Sequence, residues 1–234
     1  MMRKLLFLMC MVAGLTASAQ NIQLHYDFGR NIYTGEEAGR SKVTVTLEQF
    51  KADKWGSWFY FVDVDLSSHF TESAYAEISR EMNLGTNSPL AAHVEYDGGL
   101  SRHGSFQQAG LVGLAYNGHS ADFAKTWSVQ MLYKQYFKSY DYTHSYASAQ
   151  LTGVWGLNFM QKKLTFSGFI DFWRGEKDNG HGQLVILTEP QLWYNFNEHF
   201  SVGTEWEMSS NFVYNTYNDK SFFLNPTLAV KWNL

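Results

Sequence analysis

The chain has 234 residues, with 18 basic and 22 acidic side chains and a formal net charge of −4. That balance disfavours a nucleic-acid-binding module, which needs a basic face for phosphates. Beyond the first nineteen residues no run of about 18 apolar residues occurs, and the overall hydropathy is negative, so a bundle of transmembrane helices is excluded.

Arg3 and Lys4 precede an apolar stretch from Leu5 to Leu15, and Ala17-Ser18-Ala19 offers small residues before Gln20. This arrangement predicts a secretory signal peptide over 1–19 and a single mature domain over 20–234. Cys10 is the only cysteine and leaves with the signal, so no disulfide is expected. The mature part keeps 16 basic and 22 acidic side chains, a net charge of −6.

From Gln20 onward, one pattern recurs: apolar side chains at every second position. Ile22, Leu24, Tyr26 and Phe28 alternate with Gln23, His25 and Asp27; Val43, Val45 and Leu47 alternate with Thr44, Thr46 and Glu48. Trp58, Tyr60, Val62, Val64 and Leu66 follow. Val94 and Tyr96 oppose His93, Glu95 and Asp97, and Phe123, Trp127, Val129, Met131 and Tyr133 oppose Thr126, Ser128 and Gln130. Leu164, Phe166, Ile170 and Phe172 come next, then Phe200, Val202, Trp206 and Met208. The chain closes on Leu224, Leu228, Val230, Trp232 and Leu234. Successive strand residues point to opposite faces, so each segment is a strand with one apolar and one wet surface.

About twelve such segments, each near the roughly 9 to 11 residues that cross a bilayer, predict an all-β transmembrane antiparallel barrel. The connections 51–54, 117–120 and 195–199 are short, whereas 29–40, 135–144 and 213–221 are longer, as periplasmic turns and outer loops should be. Aromatics gather towards both predicted rims. A soluble barrel of this size would be too wide for its side chains to fill, so the apolar face is expected to meet outer-membrane lipid. Pro190 and Pro226 fall inside predicted strands, where bulges or shifted strand ends are expected. Arg80 and Lys125 take the lipid face by parity, unless a bulge in 75–84 turns Arg80 inward.

The wet face is acidic and aromatic. Asp63, Asp65, Glu77, Glu95, Asp97, Asp171, Glu189, Glu205 and Glu207 should point inward, with Phe59, Phe61, Phe169, Trp173 and Trp193. Wetting a pore needs only Ser, Thr, Asn and Gln. Rings beside carboxylates suit a solute with a flat face and several hydroxyls, stacked on one and donating to the other. The competing account is structural: inward charges can pair into networks that plug a small barrel, and inward rings can fill space.

Gly56 to Ser67, GSWFYFVDVDLS, followed by Tyr75 to Leu84, YAEISREMNL, resembles a strand pair of the Tsx-type nucleoside-specific channel-forming proteins. The resemblance is sharpest over these thirty or so residues. It implies a twelve-stranded outer-membrane barrel passing nucleosides by facilitated diffusion, with Phe59, Phe61, Asp63 and Glu77 lining the lumen and Arg80 next. The expected solute-binding set is these five with Asp65, Asp171, Trp173, Glu189, Trp193, Glu205 and Glu207.

A hydrolase is the rival reading. Outer-membrane acyl hydrolases use a rim Ser and His, and His103-Gly104-Ser105 falls in a predicted outer loop. Phe106 stands where that pattern carries Asn, and no acid is spaced to orient the His. The eight histidines are scattered without metal-ligand spacing. Gly110, Gly113, Gly153 and Gly156 sit in strands and read as bends or close approaches rather than a phosphate cradle. The expectation is therefore a monomeric channel for a small nucleoside-like solute in the outer membrane, with no catalysis, cofactor or nucleic-acid partner.

Overall fold

The computed structural model describes residues 20–68, 70–86, 88–141, 143–177 and 180–234. The expected signal segment, 1–19, and with it Cys10, lies outside the described residues. In chain order the elements are β1 (Gln20–Asp27), a one-turn helix α1 (Gly29–Ile32), β2 (Val43–Asp53), β3 (Gly56–Leu66), β4 (Thr71–Asn83) and β5 (Leu90–Ser101). There follow β6 (Gly104–Ser105), β7 (Ala109–His119), β8 (Lys125–Tyr136), β9 (Tyr146–Phe159) and β10 (Leu164–Glu176). The last are β11 (Gly182–Thr188), β12 (Gln191–Asn195), β13 (Phe200–Ser210) and β14 (Phe222–Asn233).

These elements form a closed antiparallel barrel of twelve staves. β6 is a short ribbon on β5, and β11 and β12 are two halves of one stave. Closure comes from β1 against β14, with Ile22 opposite Trp232 and Leu24 opposite Val230. A closed ring leaves no strand edge, which is the condition for placing β-structure in hydrocarbon.

The alternation expected from sequence sets the two faces. In β14, Leu228 is 58% exposed and Trp232 51%, whereas Phe223 and Asn225 are fully buried. Leu24, Ile78, Val94, Val112, Val129 and Met131 are likewise on the outside. The apolar face therefore looks outward and the polar face inward, the reverse of a water-soluble sandwich. At the end carrying the termini, Tyr116 stacks on Trp127 at 5.4 Å and Tyr194 meets Phe196 at 4.9 Å. Tyr26 and Phe28 meet at 5.0 Å near the opposite, loop-bearing end. These pairs fall where a bilayer's two interfaces favour amphipathic rings.

Of the bulges or shifted strand ends expected at the two strand prolines, a strand end falls at Pro190 and neither proline makes a bulge. Pro190 divides β11 from β12, yet the register with β10 is the same on both sides, Ile170 opposite Thr188 and Ser167 opposite Gln191. Pro226 stays inside β14. Each loses one donor but keeps its acceptor: Trp206 N–H donates to the Pro190 carbonyl and Phe28 N–H to that of Pro226, both at 3.0 Å. Pairing lapses at Glu189 and Pro190 and resumes in the same register, so no residue is added to the strand. In the β3–β4 pair the register does shift, between Asp65 and Leu66. Phe123, expected at a strand start, sits instead in the turn before β8 with φ 54°.

The interior is unevenly filled. Ala109, Leu111 and Leu132 form an apolar cluster beneath β7 and β8, and Trp193 and Phe223 are fully buried on the opposite side. Gly113 permits close strand approach, since a Cβ there would collide with the Met131 carbonyl oxygen. Between these packed zones, Phe59, Phe61, Asp63, Glu77, Asp171, Glu189, Glu205 and Glu207 keep intermediate solvent exposure. Water reaches them inside the wall.

Candidate lumenal site

β3 and β4 set the first part of the site. Their register places Phe61 opposite Glu77 and Asp63 opposite Tyr75, so rings and carboxylates alternate across the strand pair. Tyr75 donates its hydroxyl hydrogen to Glu77 at 2.9 Å. Thr46 donates to Asp63 at 2.5 Å, and Thr44 and Ser73 donate to Asp65 at 2.7 and 2.6 Å. Hydroxyls from the same strand, for Glu77, and from neighbouring strands, for Asp63 and Asp65, thus orient these carboxylates and leave their remaining lone pairs for other donors.

A second group gathers around Glu77. Glu77, Glu95 and Asp97 bring one carboxylate oxygen each within 4.8 Å of one another, a grouping of hard donors able to take a cation. Glu77 and Asp97 are directly cross-strand, where like charges repel. Lys134 supplies a counter-charge, its ammonium donating to Asp97 at 3.0 Å and to Gln150 at 2.9 Å. His93 lies between Glu81, at 3.3 Å, and Glu95, at 3.1 Å. Thr152 donates to Asp171 at 2.5 Å, and the Trp173 ring lies 5.3 Å from the Lys134 ammonium.

The third group lies on β12, β13 and the Pro190 break. Gln191 donates to Glu205 at 2.6 Å and accepts from Trp193 Nε1 at 2.9 Å. Glu189 is within electrostatic range of Glu205, Glu207, Asp63 and Glu77, which makes the centre strongly acidic. Trp193 was expected to offer a stacking face. Instead Lys231 sits over its ring at 4.0 Å and His25 meets it edge-on at 6.1 Å, so it serves as wall.

Segment 28–42 enters the loop-bearing mouth. Arg40 donates to Asp27 at 2.9 Å, to Glu37 at 3.4 Å and to both oxygens of Glu207 at 3.2 and 2.8 Å. Asn225 donates to Glu37 at 2.9 Å and to Glu207 at 3.0 Å. Burial works against the Arg40 charge, but Glu207 and Asp27 outweigh it and hold the guanidinium above its ordinary pKa. Burial pushes the Glu37 carboxyl up, against the pull of Arg40.

Eleven of the twelve residues expected from sequence lie on the inner face: Phe59, Phe61, Asp63, Asp65, Glu77, Asp171, Trp173, Glu189, Trp193, Glu205 and Glu207. Arg80 is the correction. It lies on the outer face opposite Trp58, pairs with Asp53 at 2.9 Å and stacks over the Trp58 ring at 5.1 Å. Parity is unbroken through β4, so Arg80 stays outside and snorkels to the rim. Sequence reasoning missed Lys134 and Lys231 as counter-charges, although their parity already placed them inside. Arg40 and Glu37 carried no periodic signal.

The His103–Ser105 pair is not assembled as a relay. Arg102 Nε donates to His103 Nε2 at 3.0 Å, and the Ser105 backbone N–H donates to the Tyr140 hydroxyl. No carboxylate is hydrogen-bonded to His103 among the described residues.

The barrel is similar to the solved NanC porin, with 13% sequence identity and a TM-score of 0.60 over 92% of this chain and 100% of that one. It is also similar to the KdgM porin in complex with disordered oligogalacturonate, with 12% identity and a TM-score of 0.53 over 93% and 99%. At these identities the likeness is one of fold. No curated protein matches the sequence. A family model covers residues 19–234, the barrel from its first strand to its last, and the chain belongs to that family, described as Domain of unknown function (DUF5020).

Proposed function

We propose that the protein is an outer-membrane channel, exported by a signal peptide over 1–19 and inserted as a monomeric barrel over 20–234, that passes small polar solutes by passive diffusion. The observation that carries this reading is the inverted barrel: apolar side chains outside, and inside it carboxylates and rings that water still reaches. No chemical step is needed for that task. Individually weak contacts suit it, because a channel must release what it binds.

The lumen's charge sharpens the reading. Inward basic groups such as Lys134, Lys231 and Arg40 are outnumbered by acidic groups on β3, β4, β5, β10 and β13. A narrow wall of one sign raises the local concentration of the opposite sign and repels its own. An oligogalacturonate, the polyanion in the KdgM complex, is therefore a poor solute for this lumen. Neutral or cationic solutes with a flat ring and hydroxyls, nucleosides among them, fit it better, and the resemblance of Gly56 to Leu84 to the Tsx-type channels supports the same class.

Liposome swelling with purified barrel tests this. Nucleosides and neutral sugars should enter faster than nucleotides or acidic sugars of similar size. Equal rates for all would refute the selectivity, and no entry of any solute would refute the channel.

A further inference from the structure

Four aromatic rings run in file along one wall of the lumen. Phe59 and Phe61 lie 6.1 Å apart, Phe61 and Tyr75 6.1 Å, and Tyr75 and Phe106 6.1 Å. The file begins near the terminal end of β3 and climbs to the loop beyond β5. The last ring gets there by an unusual route. Gly99 is the cross-strand partner of Tyr75 and carries no side chain, and a Cβ built on it would meet the Phe106 ring at 2.7 Å. Phe106 N–H donates to the Gly99 carbonyl at 3.0 Å, fixing the loop where its ring fills the space a side chain at 99 would take. A ring from a loop thus extends the wall ladder to the mouth.

The file is flanked by acceptors in register. Glu77 is opposite Phe61 and Asp63 is opposite Tyr75, so rings two and three each have a carboxylate beside them. The rings are inclined to one another by 48° to 70° rather than stacked flat. Phe106 is 39% exposed, and the other three keep intermediate exposure, so none is consumed by packing. Rings that served only to fill the lumen would be covered, as Trp193 and Phe223 are.

We infer that Phe59, Phe61, Tyr75 and Phe106 form a stepwise binding track for hydroxylated ring solutes, with its entry subsite at Tyr75 and Phe106. A ring compound lays its apolar face on one aromatic while its hydroxyls donate to Glu77 or Asp63, then passes to the next ring 6.1 Å away before fully releasing the last. The shared chemistry is a flat ring edged with hydroxyl donors, supplied by a nucleoside or by the sugar units of a neutral oligosaccharide. A solute of several linked rings would engage several steps together and bind more tightly than one ring. This rests on the channel reading, to which it adds where and how the solute is held.

The test is block of ion current through single barrels in planar bilayers by adenosine, glucose and maltohexaose, together with equilibrium binding of the same probes to the detergent-solubilised protein. Both should saturate. Phe106→Ala and Phe61→Ala should each weaken block and binding roughly tenfold, as loss of a stacking ring does. Tyr75→Phe, which keeps the ring, should stay within about threefold of the parent. Maltohexaose binding better than glucose assigns the track to oligosaccharides; adenosine binding better than both sugars assigns it to nucleosides. Conductance without saturable block or binding overturns the track and leaves the channel standing. Binding without conductance supports the track and overturns the channel. Unchanged affinity in both alanine variants, with their melting temperatures intact, also overturns the track.

Discussion

Arg40 grips both carboxylate oxygens of Glu207, at 3.2 and 2.8 Å, and so pins the 28–42 segment to the inner wall of β13. The pair is bidentate and charge-assisted, the strongest form of side-chain hydrogen bonding. The Arg40 side chain is 25% exposed, so the full worth of a buried pair does not apply. Arg40→Ala should still cost the docked segment about 2 kcal/mol, because Asp27 and Glu207 lose their shared cation. Limited proteolysis within 28–42 should accelerate and conductance should rise. Unchanged cleavage and conductance would show that the segment is held by other contacts, such as Tyr33 against Phe223 at 5.0 Å.

Glu37 makes the same latch sensitive to pH. Its carboxyl is raised above the ordinary 4.5 by burial, with Glu207 and Asp27 adding repulsion and Arg40 opposing them. An acid whose pKa rises on folding stabilises the docked state while protonated. That contribution is complete below 4.5 and fades as pH climbs through the raised value. Protection factors of the 28–42 amides, which remove the intrinsic pH dependence of exchange, should therefore rise on acidification through that window. Glu37→Gln, which cannot titrate, should flatten the Glu37 part of the response; an unchanged profile would locate it elsewhere.

Lys134 has the opposite weight, since it sits deep in the wall beside Asp97 at 3.0 Å. Lys134→Met removes the cation and leaves Asp97 next to Glu77 and Glu95. Breaking a buried pair from one side costs about 3 to 5 kcal/mol. Heat-modifiability on gels should show a marked fall in unfolding temperature. The double variant Lys134→Met with Asp97→Asn should recover most of it, and equal losses in single and double variants would contradict the pairing.

Lumen charge sets the final expectation. Asp63 and Glu205 lie within electrostatic range of each other, and they accept hydrogen bonds from Thr46 and Gln191 respectively. Asp63→Asn with Glu205→Gln preserves shape and removes two ionisable carboxyls. Reversal potentials in a salt gradient should move towards zero from a cation-selective value, by about 10 mV or more. A parent barrel that prefers anions would sink the electrostatic argument outright.

Which of these features were legible beforehand follows from how each is encoded. Leu228, Val230 and Trp232 announced a shared face because strand parity repeats every second residue, and the expected width of the barrel turned that face outward. Parity equally grouped Asp63, Glu77 and Glu205 on the opposite face; for Arg80 it left both sides open, and its inclusion among the lumenal residues was overturned. Pro190 and Pro226 were harder, because a missing donor shows in sequence but the neighbour that tolerates its loss does not. Trp193 was placed on the right face with the wrong role, since its cover comes from Lys231, two strands away in the ring.

Sequence alone determined an architecture of about twelve staves, which residues of each stave share a face and the acid excess of the polar face, all of which depend on residues a few positions apart. Tertiary structure decided the rest: that Arg40 reaches Glu207, that Lys134 finds Asp97, and that Phe106 enters the space left open by Gly99. Those meetings join positions separated by up to 167 residues. Local alternation has no information about such distances; ring closure and loop docking supply it.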